Sequence, residues 1–262
     1  MHRRTLGFRS KFGRVRVRRN PHVGALGRSS ARTCTRMNRP TMSATAAVAI
    51  CAGAIVLGAI ALFAVAASQR GGGSALVQAD HALSDAVAAH VPAGWVQVAG
   101  TLTHLADPLV LAAWCIAVAV LLWSRGERLW MWTWVAAVGG NGLLNRALKG
   151  LFGRARPAYE DAMSASGYSF PSGHTSGALV TYGMLAFLVC RLAPPRWHRP
   201  AVLASILIVA TVASSRVLLR VHFASDVIAG AASGSAWLAL CVAGAVLVRR
   251  YQQSQNAPAQ LH

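Results

Sequence analysis

Three short segments of the chain combine histidines or cations with residue types that suit a phosphate group. They are residues 149–157, 171–174 and 215–226. A lysine charge and an arginine fork match the several anionic oxygens of a phosphate. The chemistry that these residues favour is therefore phosphate binding and phosphoryl transfer.

The first segment follows a polar stripe on a predicted helix. Asn141, Asn145 and Lys149 recur every four residues, which places them on one helix face. The loop that follows contains two glycines and leads to Arg156, so it can turn and bring the two cations together. Alone, this pattern also fits a snorkelling lysine before an ordinary basic turn.

The second segment opens another predicted helix. Pro171 and Ser172 precede Gly173 and His174, and a helix start of this kind exposes backbone N–H groups that can bind an oxyanion. His174 falls in the first turn, where the positive end of the helix favours a neutral imidazole unless a bound phosphate offsets that field. A helix cap with a surface histidine is the alternative interpretation.

The third segment places Arg216 before His222 and Asp226. The latter two are four residues apart, so on a helix that begins near His222 they share a face. A carboxylate that holds Nδ1 leaves Nε2 free as a nucleophile or base. Arg216 supplies a third cation. A structural His–Asp surface pair is the alternative.

The elements that must position these segments are apolar helices. The chain has 262 residues, of which 55% are hydrophobic and 13% are charged. Crossing a bilayer takes about 20 mostly apolar residues in a helix. We therefore predict an all-α polytopic membrane protein, a bundle of six transmembrane helices. The predicted spans are 45–67, 108–123, 129–148, 175–192, 201–215 and 226–248.

The charge distribution predicts an orientation. Residues 1–43 hold twelve Lys or Arg and no Asp or Glu, which is typical of a cytoplasmic tail. Six spans then place six of the seven acidic residues outside, together with the three phosphate-suited segments. The expected organisation is a basic, disordered tail (1–43), a membrane domain (44–250) and a cytoplasmic C-terminal tail (251–262). A surface helix is expected at 76–91.

Other classes of function have less support. Basic residues beside a first span attract anionic lipid more readily than they indicate nucleic-acid binding. Four of the five cysteines lie inside apolar runs, so neither a disulfide framework nor a metal site is expected. Met37 and Met42 stand just before the first run and offer a second translation start, which N-terminal sequencing would detect.

Together the three segments resemble the three-part signature of the type 2 phosphatidic acid phosphatase family. The resemblance covers about residues 76–248, and Arg220, where many members have a small residue, is a local departure. The positions that carry it are Lys149, Arg156-Pro157, Pro171-Ser172-Gly173-His174, Ser215-Arg216, His222 and Asp226.

The resemblance implies a role for each matched residue. His222 would attack phosphorus to form a phosphohistidine, Asp226 would orient its ring, and His174 would protonate the leaving oxygen and later activate water. The phosphate oxygens would be held by Lys149, Arg156, Ser172, Gly173 and Arg216. With three cations present, no metal and no cofactor are expected.

The expected function is hydrolysis of a membrane lipid mono- or diphosphate: phosphatidate, phosphatidylglycerol phosphate or undecaprenyl diphosphate. The expected location is a bacterial-type plasma membrane, with an active site at the outer face. Two alternatives stay open, namely a lipid phosphotransferase that uses the same site and a non-catalytic phospholipid-binding or transport protein. The sequence leaves the oligomeric state undetermined.

Overall fold

A computed structural model of the chain describes residues 44–68, 74–156 and 167–255. The predicted basic tail (1–43) and the end of the C-terminal tail lie outside the described residues. All regular structure within the described part is helical, which confirms the all-α prediction. The α-helices are α1 Ala44–Ser68, α2 Ala75–His90, α3 Ala93–Leu102, α4 Pro108–Ser124, α5 Arg128–Phe152, α6 Gly173–Leu192, α7 His198–Leu218 and α8 Ala224–Gln255.

Each predicted apolar run lies inside one long helix. The six runs fall within α1, α4, α5, α6, α7 and α8, and the predicted surface helix at 76–91 is α2. Two short 3-10 segments, Thr103–Ala106 and Pro195–Trp197, connect α3 to α4 and α6 to α7. The helices therefore follow from the hydrophobic pattern, and their ends differ from it by only a few residues.

Among the described residues, four helical stretches are long and apolar enough to cross a membrane: Ala93–Ser124, Gly173–Leu192, Pro195–Leu218 and Ala224–Gln253. A shorter apolar stretch, Ala46–Leu62, lies in α1. Helix α5 is not among the four, because asparagine, arginine and lysine side chains lower its hydropathy. Six spans thus stay a prediction that depends on α1 and α5.

Helix α6 lies at the centre of the bundle and packs against α5, α7 and α8. Its buried Val180 and Met184 meet Trp130 and Trp134 of α5 in the largest apolar cluster. The Trp134 indole donates a hydrogen bond to the backbone oxygen of Cys115 in α4, at 2.9 Å. A buried tryptophan with a satisfied N–H fixes the mutual position of these helices, and hence of the ends that carry the site.

Two glycines of α8 allow it to approach the start of α6 closely. A Cβ at Gly230 would lie 2.5 Å from the backbone oxygen of Ser172, and one at Gly234 would lie 3.1 Å from Ser176. This contact also lets the Ser172 N–H donate to the backbone oxygen of Asp226, at 3.0 Å. The close approach holds the second and third phosphate-suited segments together.

Gly230→Ala should therefore loosen the junction between these two segments. We expect it to destabilise the protein by about 1–3 kcal/mol, because a methyl group has no room there, and to lower the rate of phosphate release. Gly244→Ala is the matched control, since Gly244 lies in the same helix with open space around its Cα. Thermal unfolding in detergent compares the two variants, and equal melting temperatures would contradict the packing described.

Candidate active site

The three predicted segments meet at one end of the helices. Lys149 lies in the last turn of α5, His174 in the first turn of α6 and Arg216 in the last turn of α7. Residues 219–223 lead into α8. A cavity of about 720 Å³ opens at this junction. Six of the eight predicted site residues line it, namely Lys149, Arg156, Gly173, His174, Arg216 and His222.

His222 is 2% exposed, and each of its ring nitrogens faces a different charged side chain. Its Nδ1 lies 3.5 Å from Asp226 Oδ2, and its Nε2 lies 3.4 Å from Arg156 Nη1. Burial lowers the pKa of His222 to about 4, with the Arg156 and Arg216 charges adding to burial and Asp226 opposing it. The ring is therefore neutral at pH 7, with Nε2 turned toward a cation of the cavity.

Neutral partners hold the three cations in place. Lys149 Nζ donates to the backbone oxygen of Tyr168 at 2.6 Å, and Arg216 Nη1 donates to Thr103 Oγ1 at 2.8 Å. Arg156 Nη1 donates to a backbone oxygen as well, that of Val221, at 2.9 Å. In the part of the chain that the structure describes, neither Lys149 nor Arg216 forms an ion pair with a carboxylate. Their charge is thus available to an anionic ligand.

His174 also has a carboxylate partner. Its Nε2 lies 3.1 Å from Asp107 Oδ1, and the other oxygen of Asp107 lies 2.7 Å from His104 Nδ1. The site therefore contains two histidine–aspartate pairs. Two imidazoles near three cations can serve as a nucleophile and an acid in transfer of a phosphoryl group.

Comparison with known proteins agrees with this geometry. The sequence profile of the PAP2 superfamily matches residues 130–248, the region that holds Lys149, His174 and His222. This region, just under half of the chain, is similar to that superfamily. Together with the relatives below, the match indicates a phosphatase, a member of the hydrolases.

A protein and a crystal structure, both from Bacillus subtilis, are similar to this chain. Phosphatidylglycerophosphatase B of strain 168 is 29% identical over 169 residues, which cover 62% of this chain and 80% of that protein. The crystal structure of a transmembrane PAP2-type phosphatidylglycerolphosphate phosphatase aligns with a TM-score of 0.66 at 24% identity, over 78% of this chain and 98% of that one. The shared fold and the apolar helices identify an integral membrane protein.

Two predicted site residues, Ser172 and Asp226, do not line the cavity. Ser172 is fully buried, and its Oγ accepts from the Thr175 N–H at 3.5 Å and contacts Thr175 Oγ1 at 3.0 Å. Its hydroxyl therefore caps α6 and does not line the cavity, because an N-cap serine satisfies the free N–H groups of the first turn. Asp226 is also fully buried, behind the ring of His222.

Arg220, the local departure from the resemblance, has an unusual backbone conformation. Its φ of 54° lies in the left-handed region, which favours glycine. Arg220 is not among the residues that line the cavity.

The sequence analysis did not identify Arg154, an arginine that contacts the site from behind. Arg154 Nη1 donates to Asp226 Oδ1 at 2.6 Å, and its Nη2 donates to Asp80 Oδ2 at 3.0 Å. Asp80 of α2 is 3% exposed and accepts from the Ser225 N–H at 3.1 Å. We call Asp80, Arg154 and Asp226 the aspartate clamp.

Within residues 44–68, 74–156 and 167–255, no group of three or more His, Cys, Asp or Glu side chains is placed to hold a metal ion. The positive charge that the described site offers to a phosphate comes from Lys149, Arg156 and Arg216.

We expect Lys149 to make phosphate binding dependent on pH. Burial and the nearby Arg156 charge lower the pKa of this residue, which lies beyond the predicted span 129–148, to about 8. Lys149 is charged below that pH and neutral above it, so KM should rise as pH increases beyond about 8. Arg stays protonated throughout this range, so in Lys149→Arg the rise should disappear. Steady-state kinetics between about pH 7 and 10 test this, and the same rise in both proteins would assign it to another group.

Proposed function

We propose that this phosphatase hydrolyses the phosphate group of a membrane lipid. One observation carries the proposal: the cavity that holds the histidines and cations also has an apolar wall. Residues of α4 and α5, among them Pro108, Leu111, Ile116 and Val138, form that wall. A lipid tail can lie along α4 and α5 while its phosphate reaches the cations, which a soluble phosphate ester would not need.

The proposed mechanism has two in-line steps. His222 Nε2 attacks phosphorus, the bond to the leaving oxygen breaks with its electron pair on that oxygen, and His174 supplies the proton. Water then attacks the phosphohistidine while His174 accepts its proton, which releases inorganic phosphate and restores both rings. Lys149, Arg156 and Arg216 stabilise the charge on the equatorial oxygens throughout.

The cavity favours a lipid with two phosphate groups. Arg146, three residues before Lys149 on α5, also lines the cavity, is exposed, and adds a fourth cation. Phosphatidylglycerol phosphate and undecaprenyl diphosphate have a second anionic phosphate, and phosphatidate does not. The similarity to phosphatidylglycerophosphatase B makes phosphatidylglycerol phosphate the leading candidate.

We propose six spans, with the site at the outer face of a bacterial plasma membrane. The twelve basic residues of the tail and the outward bias of the acidic residues support this orientation. In the described helices the site is at the ends of α5 and α7 and at the starts of α4, α6 and α8. Alternating spans bring those ends to one side of a membrane, and the tails of residues 1–43 and 251–262 would then be cytoplasmic.

The test offers purified protein a panel of phosphatidylglycerol phosphate, undecaprenyl diphosphate and phosphatidate in detergent, with His222→Ala as the blank. We expect free phosphate from all three, with the lowest kcat/KM for phosphatidate. Full activity is expected to persist in a chelator, because side-chain cations supply the positive charge. Loss of activity in the chelator would contradict that expectation.

The same panel separates the alternatives. Phosphate recovered on an added lipid acceptor, with little free phosphate, would identify a phosphotransferase. Binding without turnover of any of the three lipids would overturn the proposed hydrolysis and favour a phospholipid-binding or transport protein.

A further inference from the structure

We propose that Asp107 is a positioning residue that orients His174 and favours its protonated form when it acts as the acid of the reaction. The inference rests on the proposed function and deepens it. Asp107 stands outside the three segments that resemble the family signature, immediately before Pro108 at the start of α4.

The position of Asp107 favours an ordinary helix cap, yet its side chain makes no capping hydrogen bond to α4. Its carboxylate bridges two histidines instead. Oδ1 lies 3.1 Å from His174 Nε2, and Oδ2 lies 2.7 Å from His104 Nδ1. The Asp107 side chain is 35% exposed and that of His104 is 60% exposed, so the bridge runs from the cavity toward the surface.

The charges around His174 give this contact its function. Burial, Arg216 at the end of α7 and Arg156 after α5 all act against a positive charge on the ring, and Asp107 acts in its favour. An acid must carry its proton before it can protonate a leaving oxygen. In the described part of the chain, Asp107 is the one carboxylate that contacts His174 and opposes the two arginines.

The pairing also assigns the two ring nitrogens. In the imidazolium form, His174 Nε2–H donates to Asp107, which leaves Nδ1–H for the leaving oxygen. As the P–O bond breaks, its electron pair goes to that oxygen, the Nδ1 proton follows, and the ring becomes neutral. In the second step Nδ1 takes a proton from the attacking water. Asp107 stays ionised throughout, and His104 fixes its second oxygen.

The experiment uses two substrates that differ in their need for an acid. The alkoxide that leaves a lipid phosphate requires protonation, and the p-nitrophenolate that leaves p-nitrophenyl phosphate does not. Asp107→Asn should lower kcat/KM, which reports the first step and not the attack of water, by about 100-fold on phosphatidate, the scale of general acid catalysis. On p-nitrophenyl phosphate it should lower kcat/KM by less than about 3-fold. Asp85→Asn, an exposed acidic residue of α2, is the matched control and should leave both rates unchanged.

The ratio of the two rates is independent of how much of the variant is folded. Equal losses on both substrates would overturn the proposal and leave Asp107 a structural residue, and no loss on phosphatidate would overturn it too. If Asp107→Asn cannot be purified, His104→Gln should show a smaller loss with the same dependence on the leaving group. A His104→Gln protein whose loss does not depend on the leaving group would equally overturn the proposal. Wild-type protein inactive on both substrates would refute the proposed function itself.

Discussion

His222→Ala is expected to lower kcat on a lipid phosphate by about 10⁴-fold or more, because it removes the nucleophile of the proposed first step. The Nε2 atom of His222 has no substitute in the cavity at the same place, since the other cavity histidine, His174, is held by Asp107. Phosphate release from phosphatidylglycerol phosphate, with protein amount and folding checked by gel filtration, measures the loss.

His90→Ala is the matched control for this variant. His90 is an exposed histidine at the end of α2, hydrogen-bonded to the backbone oxygen of Ala86. It is not among the residues that line the cavity. Its activity should equal that of the wild type. A His222→Ala protein that retains a tenth or more of the wild-type rate would exclude covalent catalysis by His222.

Arg154→Met should affect both stability and activity, because it leaves two buried carboxylates of the aspartate clamp without their cation. Asp80 is 3% exposed and Asp226 is fully buried. Removing one partner from a buried ion pair costs about 3–5 kcal/mol. The same change releases Asp226 behind His222, so kcat should fall as well. Denaturant titration in detergent micelles, combined with phosphate release, measures the two effects.

A double-mutant comparison shows whether the clamp itself is responsible. Asp80→Asn in the Arg154→Met background removes one of the two stranded charges, so the pair of changes should destabilise less than the sum of the single changes. Arg125→Met replaces an exposed arginine between α4 and α5 and should leave stability unchanged. Strictly additive losses at Arg154 and Asp80 would show that the two side chains do not interact.

The helices could be predicted from the sequence because a long apolar run indicates a helix by its length and composition alone. A run of about 20 apolar residues specifies a helix without any knowledge of its neighbours. The convergence of Lys149, His174 and His222 also followed from the sequence. Segments that are separated by an even number of spans lie on the same side of a membrane, and this holds for all three residues. Helix α5 was predicted as a span from its apolar part, although its polar stripe faces the cavity.

The supporting residues could not be predicted in the same way. Arg154 lies between two cations of the first segment and resembles a third one, and only the packing of α2 on α8 shows that it binds Asp80. Asp107 has the position of a helix cap, and only the approach of α4 to α6 shows that it turns to His174 instead. Both contacts join residues that are more than 60 positions apart, and no local pattern encodes such a contact.

Ser172 has a structural use that the resemblance did not indicate. The resemblance implies that its hydroxyl contacts phosphate, and in the structure the hydroxyl accepts a hydrogen bond from the first turn of α6 as an N-cap. Gly173, one residue later, lines the cavity. The role of Ser172 toward phosphate stays a prediction.

The central claim is that phosphate passes through His222 on its way from lipid to water. The most direct measurement mixes the protein with lipid labelled in the transferred phosphate, quenches within one turnover, and maps the label. We expect a base-stable, acid-labile label on the peptide that contains His222, absent from His222→Ala. Hydrolysis that proceeds without any labelled protein, or with the label on another residue, would contradict the account.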